Sequence, residues 1–122
     1  MLNSIYRALV SHLSRLRIPV YLADSVPQGA AFPYITATIE APLTADHAGT
    51  LTLTVWCTGG SANSMRLSHT DALYSLLPCR GACLNADTGS ILLRQSGTAA
   101  CVQDASALGM QSRWTLRYIP AV

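Results

Sequence analysis

Two helices are predicted from apolar residues spaced three or four positions apart. Residues 2–16 carry such a stripe, with basic and hydroxyl side chains mostly on the other side. The stripe consists of Leu2, Ile5, Leu9, Leu13 and Leu16. Pro19 ends this helix, because the residue before a proline avoids the helical region. A second helix is predicted from Ala62 or Ser64 to Leu77, ended by Pro78 and Gly81; its inner stripe is Met65, Ala72, Leu73 and Leu76.

Alternation of apolar and polar residues, together with short apolar runs, predicts strands between and after the helices. Residues 50–57 show it most clearly, with Leu51, Leu53, Val55 and Cys57 on one face and Thr50, Thr52, Thr54 and Trp56 on the other. Residues 110–119 repeat it, with Met110, Trp114, Leu116 and Tyr118 opposite Gln111, Arg113, Thr115 and Arg117. Shorter strands are predicted at residues 20–22, 32–40, 91–94 and 98–103. The order of elements predicts a single α+β domain over residues 1–122: an antiparallel or mixed sheet of about five strands packed by two helices.

The low charge of the chain favours an oligomer. Only 11% of the 122 residues are charged, against about 25% in an average domain. Contact surfaces between subunits are depleted of Lys, Glu and Asp, although a surface rich in Ser and Thr gives the same composition. All eight basic residues are Arg, which is typical of interfaces and equally of codon bias. The net charge of +2 is too small to indicate a nucleic-acid-binding module.

Signatures of catalysis, cofactor binding and metal binding are missing. The chain has no nucleophile elbow and no phosphate-binding glycine loop. Cys79 and Cys83 lack a second ligand pair, and Cys57 and Cys101 lie in alternating segments where a thiol is usually a core residue. We therefore expect no enzyme activity, cofactor or metal. We also expect no membrane contact, since no apolar run reaches about 20 residues and the N-terminal residues do not resemble a signal peptide.

One segment resembles a known family. Residues 18–35, IPVYLADSVPQGAAFPYI, join a Val-Tyr strand, a Val-Pro-Gln-Gly loop and a Phe-Pro-Tyr strand start. This combination after an opening helix resembles the tail terminator, or tail-completion, proteins of long-tailed bacteriophages. The order of the later elements also fits that family. Locally, Pro27 and Gly29 predict a turn in which Gly29 adopts a positive φ.

The resemblance implies a structural protein of the virion. It implies a homo-oligomeric ring, hexameric in this family, that caps the tail tube, stops its polymerisation and offers a surface to head or neck connector proteins. Assembly would take place in the host cytoplasm, and the genomic DNA would pass through the lumen without specific recognition. The residues proposed for a subunit or tube contact are Asp24, Pro27, Gln28 and Gly29, and those proposed to face the lumen are Arg94, Arg113 and Arg117. The alternative for the three arginines is a solvated strand face.

Two other functions remain open at this level. Another neck protein, such as a head-completion or head–tail connector subunit, has the same size and α+β character and differs in its partner. A small enzyme or ligand-binding domain would instead form a stable monomer or dimer with a discrete apolar pocket.

Overall fold

The computed structural model describes residues 2–40 and 48–121, which form two helices and seven strands. Helix α1 spans Leu2–Leu13 and continues as a 3₁₀ turn over Ser14–Leu16, and helix α2 spans Ala62–Leu76. The strands are β1 (Val20–Leu22), β2 (Tyr34–Glu40), β3 (Gly49–Cys57), β4 (Ala82–Ala86), β5 (Gly89–Gln95), β6 (Ala100–Asp104) and β7 (Ala107–Pro120). The predicted single α+β domain is confirmed.

The strands form one mixed sheet with β7 in its interior. Its order is β1-β2-β3-β7-β5-β4, and β6 also pairs with β7. Strands β1 and β2 are parallel, and every other pair is antiparallel. One edge of β7 pairs with β3, while its other edge pairs first with β6 and then with β5. The last strand in sequence, β7, therefore joins β1, β2 and β3 to β4, β5 and β6.

Both helices cover the same face of the sheet. The buried residues of α1 and α2 belong to one cluster with the apolar positions of the strands. Those of the helices are Ile5, Leu9, Leu13, Ala62 and Leu73; those of β3 and β7 are Leu51, Leu53, Val55, Cys57, Trp114, Leu116 and Tyr118. His12 Nε2 donates to the Leu76 carbonyl oxygen at 2.7 Å and links the two helices. The predicted inward faces of both long strands are confirmed.

Three details differ from the sequence-based expectations. The sheet has seven strands and not about five, mainly because β4 lacks a recognisable pattern: its residues Ala82-Cys83-Leu84-Asn85-Ala86 include few strand formers. Leu2 is 51% exposed, since it borders a groove beside Leu22 and Ile39 instead of lying under the helix. Cys101 is exposed and not in the core. The sequence also predicts a loop at residues 41–49, of which residues 41–47 lie outside the described part of the chain.

Candidate interaction surface on the open face of the sheet

The face of the sheet opposite the helices carries no second layer in the described residues. Side chains alternate along a strand, so the neighbours of the buried positions point to this side, which we call the open face. The register places its side chains in rows across the strands. One row contains Glu40, Thr50, Thr115 and Arg94; the next contains Thr38, Thr52 and Arg113. A threonine stripe on β2 and β3 therefore occupies the middle of the open face.

Four aromatic residues gather where β1, β2 and β3 meet. These residues, Tyr21, Phe32, Tyr34 and Trp56, form what we call the aromatic patch. The Tyr21 and Tyr34 rings contact edge to face at 5.8 Å between centroids, and Phe32 lies 4.9 Å from Tyr34. Trp56 lies directly opposite Tyr34 in the register, and its Nε1 donates to Thr36 Oγ1 at 3.1 Å. Phe32 is 39% exposed and the other three are half-buried, so the rings of the patch are packed against one another and held in place.

A glycine on β7 sets the position of the Trp56 indole. Gly109 pairs with Trp56 on one side and with Val102 on the other. A Cβ at this position would lie 2.8 Å from Val102 Cγ2, 2.9 Å from Thr54 Cγ2 and 2.9 Å from Trp56 Cε3. These three side chains therefore converge over the glycine, and only a residue without a Cβ allows the approach.

The structure brings Arg94, Arg113 and Arg117 together on the open face through the pairing of β5 with β7. Thr115, which lies between the two β7 arginines, pairs directly with Arg94 of β5. Arg80, which the sequence analysis did not single out, lines a groove of about 560 Å³ with Arg94, Arg117, Cys83 and Leu92. We call Arg80, Arg94, Arg113 and Arg117 the arginine corner.

The arginine corner is exposed and carries no ion pair within the described residues. All four arginines are exposed, and the salt bridge found in residues 2–40 and 48–121 joins Arg7 to Asp87 at 3.2 Å, on another part of the surface. Leu92 is 39% exposed between these cations. Arginine is enriched at surfaces that a protein partner covers.

The predicted contact loop lies far from the arginine corner. Asp24, Pro27, Gln28 and Gly29 are all exposed in the connection from β1 to β2. The Ala30 amide donates to the Pro27 carbonyl oxygen at 3.2 Å, and Gly29 has the predicted positive φ of 77°. Three strand spacings separate β1 from β7, which carries Arg113 and Arg117, and four separate it from β5, which carries Arg94, or about 14 and 19 Å. The two sets of predicted residues thus lie apart on the sheet.

The four cysteines are free thiols, and one of them is buried. Burial raises the pKa of the Cys57 thiol, an effect that the nearby Arg66 guanidinium partly offsets. Arg66 itself donates to the Gly109 carbonyl oxygen at 3.3 Å. Among residues 2–40 and 48–121, no group of three or more His, Cys, Asp or Glu side chains is arranged to hold a metal ion. No helix in the same ranges combines the length and apolarity needed to cross a bilayer.

Cysteine alkylation tests this arrangement. We expect iodoacetamide to modify Cys79, Cys83 and Cys101 in the native protein and to leave Cys57 unmodified, because the thiolate is the reactive form and Cys57 is both buried and protonated. Mass spectrometry of the digested protein counts the modified sites. The same reaction in urea should modify all four cysteines. Rapid modification of Cys57 in the native state would contradict the burial of the inner face of β3.

Comparisons with known proteins establish the fold and nothing beyond it. A solved protein structure superposes on this chain with a TM-score of 0.61 and 14% sequence identity, covering 99% of each chain. Neither a protein-family model nor a curated protein sequence matches the chain. The similar structure supports the single α+β domain, and at this identity it does not carry a function.

Proposed function

We propose that the protein is a tail terminator subunit of a long-tailed bacteriophage. Six copies would form a ring on the last ring of the tail tube, stop tube polymerisation and present a surface to the head or neck connector proteins. The role is structural, without turnover, cofactor or metal. The subunit would assemble in the host cytoplasm and remain in the tail or neck of the virion, with the genomic DNA passing through the lumen unrecognised.

The open face is the observation that carries the proposal. It combines the aromatic patch, the arginine corner and the exposed apolar side chains Leu92 and Ile119, at 39% and 47% exposure. Aromatic residues and Arg are enriched where proteins bind each other, and Lys is depleted there. The chain contains no Lys at all. A composition of this kind on an uncovered sheet favours a protein partner over a small-molecule substrate.

The position of the family-like segment adds support. Residues 18–35 contain β1, the exposed loop and the start of β2, so this segment forms one edge of the sheet. The arginine corner lies near the other edge. A closed ring uses head-to-tail contacts, which need two different surfaces on each subunit. The edge formed by residues 18–35 and the arginine corner are two chemically different surfaces of this kind.

Assembly on tail tubes is the experiment that tests the proposal. We expect the purified chain to form six-fold rings, alone or on the ends of tubes of the cognate tail tube protein, and to stop their growth. Light scattering gives the mass, and negative-stain microscopy gives the ring symmetry and the tube lengths. A monodisperse monomer that neither binds nor blocks tube ends would refute the proposal. Binding to a portal-side ring instead of the tube would favour a head-completion or connector subunit.

Two exposed leucines provide a matched pair of variants for this experiment. Leu92 lies on the open face, whereas Leu67, which is 53% exposed, lies on α2. We expect Leu92→Gln to weaken ring assembly about tenfold or more, since an unpaired amide buried in an interface costs about 1–3 kcal/mol. Leu67→Gln should assemble like the unmodified chain. An equal effect of the two substitutions would remove the open face from the interface.

A further inference from the structure

We infer that the arginine corner of one subunit binds the carboxylates at the opposite sheet edge of a second copy of this chain. This inference rests on the proposed ring and identifies the two surfaces that join neighbouring subunits. Its basis is the distribution of charge across the sheet.

The edge formed by β1 and β2 ends in two carboxylates. Asp24 lies two residues after the end of β1, and Glu40 is the last residue of β2. Because β1 and β2 are parallel, both carboxylates lie at the same end of this edge. Asp24 borders a groove with Thr38 and Ile39, which places it beside the end of β2. Both residues are exposed. We call Asp24 and Glu40 the acidic edge.

The acidic edge and the arginine corner lie in line across the sheet. Glu40 starts the row that runs through Thr50 and Thr115 to Arg94. Three strand spacings separate the backbones at its two ends, about 14 Å. Within the described residues neither group takes part in an ion pair. The Asp24 and Glu40 carboxylates and the arginine corner are thus separate exposed groups of opposite charge on the same sheet.

Separate groups of opposite charge suit a head-to-tail contact. The Asp24 and Glu40 carboxylates of one copy would meet the guanidinium groups of Arg94 and Arg117 in the next. Guanidinium groups bind carboxylates through two parallel hydrogen bonds, a geometry that fixes orientation as well as adding energy. The exposed Leu92 lies between these arginines and would supply apolar contact at the centre. A contact in which the arginine corner lay on a two-fold axis would place like charges together and is disfavoured.

The two arginines that precede β1 lie away from the acidic edge. Arg15 and Arg17 precede β1, so they lie at the opposite end of that strand from Asp24. A strand of three residues is about 10 Å long, which is close to the screening length of physiological salt. The contact is therefore confined to the end of the edge that carries Asp24 and Glu40.

A charge exchange between the two surfaces tests the inference. The variant Asp24→Arg with Glu40→Arg has two basic sides, and the variant Arg94→Glu with Arg117→Glu has two acidic sides. Each should self-associate at least about tenfold more weakly than the unmodified chain, because like charges then face each other. An equimolar mixture should recover the assembly, and native mass spectrometry should find equal numbers of the two variants in each oligomer.

The controls separate this inference from the proposed function. Asp71→Arg reverses an exposed carboxylate on α2 and should leave assembly unchanged. Suppose that the unmodified chain forms rings. If both double variants then still form rings, or if mixing the variants fails to restore assembly, the proposed pairing of the two surfaces is wrong, although the ring itself is supported. If Arg94→Glu with Arg117→Glu loses only binding to duplex DNA, the arginine corner faces the lumen and the inference is also wrong. If the unmodified chain assembles neither alone nor on tube ends, the proposed function fails first.

Discussion

Replacing Trp114 with Ala is expected to lower the free energy of unfolding by about 3–5 kcal/mol. The Trp114 side chain is completely buried in the middle of β7. Its ring contacts Tyr74 of α2 edge to face at 6.0 Å, and its Nε1 donates to Ser112 Oγ at 3.1 Å. The substitution leaves a cavity between sheet and helix and removes the partner of a buried hydroxyl. Urea denaturation of the monomeric protein, with an unchanged m-value, measures the loss.

Trp56 provides the control on the other side of the same sheet. Trp56→Ala should cost less, about 1–2 kcal/mol, because the indole is only half-buried and its loss removes one hydrogen bond, to Thr36. Its larger effect should fall on ring assembly, since it removes the largest side chain of the aromatic patch. Equal losses of stability for the two tryptophan substitutions would show that the open face is covered within the monomer.

Gly109→Ala is expected to destabilise the protein by about 1–3 kcal/mol, although it adds one methyl group. The new Cβ would lie within 2.9 Å of the side chains of Val102, Thr54 and Trp56. These belong to strands on both sides of β7, so none of them can withdraw without disturbing a strand pair. Thermal unfolding measures the effect, and near-ultraviolet circular dichroism reports the displacement of the indole.

Gly60→Ala is the matched control for that substitution. Gly60 precedes α2 and has no positive φ, and a Cβ added to it would have nothing within 4 Å. Its replacement should leave stability unchanged or raise it by up to about 1 kcal/mol, through the lower entropy of the unfolded chain. If the free energy of unfolding of Gly109→Ala equalled that of Gly60→Ala, the side chains of Val102 and Trp56 would have to move freely. In that case β6 would not fix the position of the start of β7.

Alternation along β3 and β7 was enough to predict the two faces of the sheet. Each of these strands has one apolar and one polar face, so the burial of Leu53 or Trp114 follows from sequence position alone. Strand β4 could not be predicted, because its short Ala- and Asn-containing sequence is held by pairing with β5. The first three residues of β7 were also missed, since Gly109 has the appearance of a strand breaker until its crowded surroundings are known.

The candidate surface was predictable only within single strands. Arg113 and Arg117 share a face because they are four residues apart on one strand. Arg94 joins them only because β5 pairs with β7, and Arg80 joins them only because of the β4–β5 hairpin. Pairing between distant strands is decided by packing of the whole chain and leaves no local signal. The aromatic patch was missed for the same reason: its members come from β1, β3 and the start of β2.

The interior position of β7 has a consequence for the timing of folding during synthesis. Before residues 107–120 have left the ribosome, β1–β2–β3 and the β4–β5 hairpin are separate pieces, each with an unpaired edge. Such edges invite pairing with other chains, and closing the sheet requires contacts between residues far apart in sequence, which form slowly. The arginine corner needs β5 and β7 side by side. A nascent chain in which residues 107–120 are not yet free to pair therefore cannot form the arginine corner.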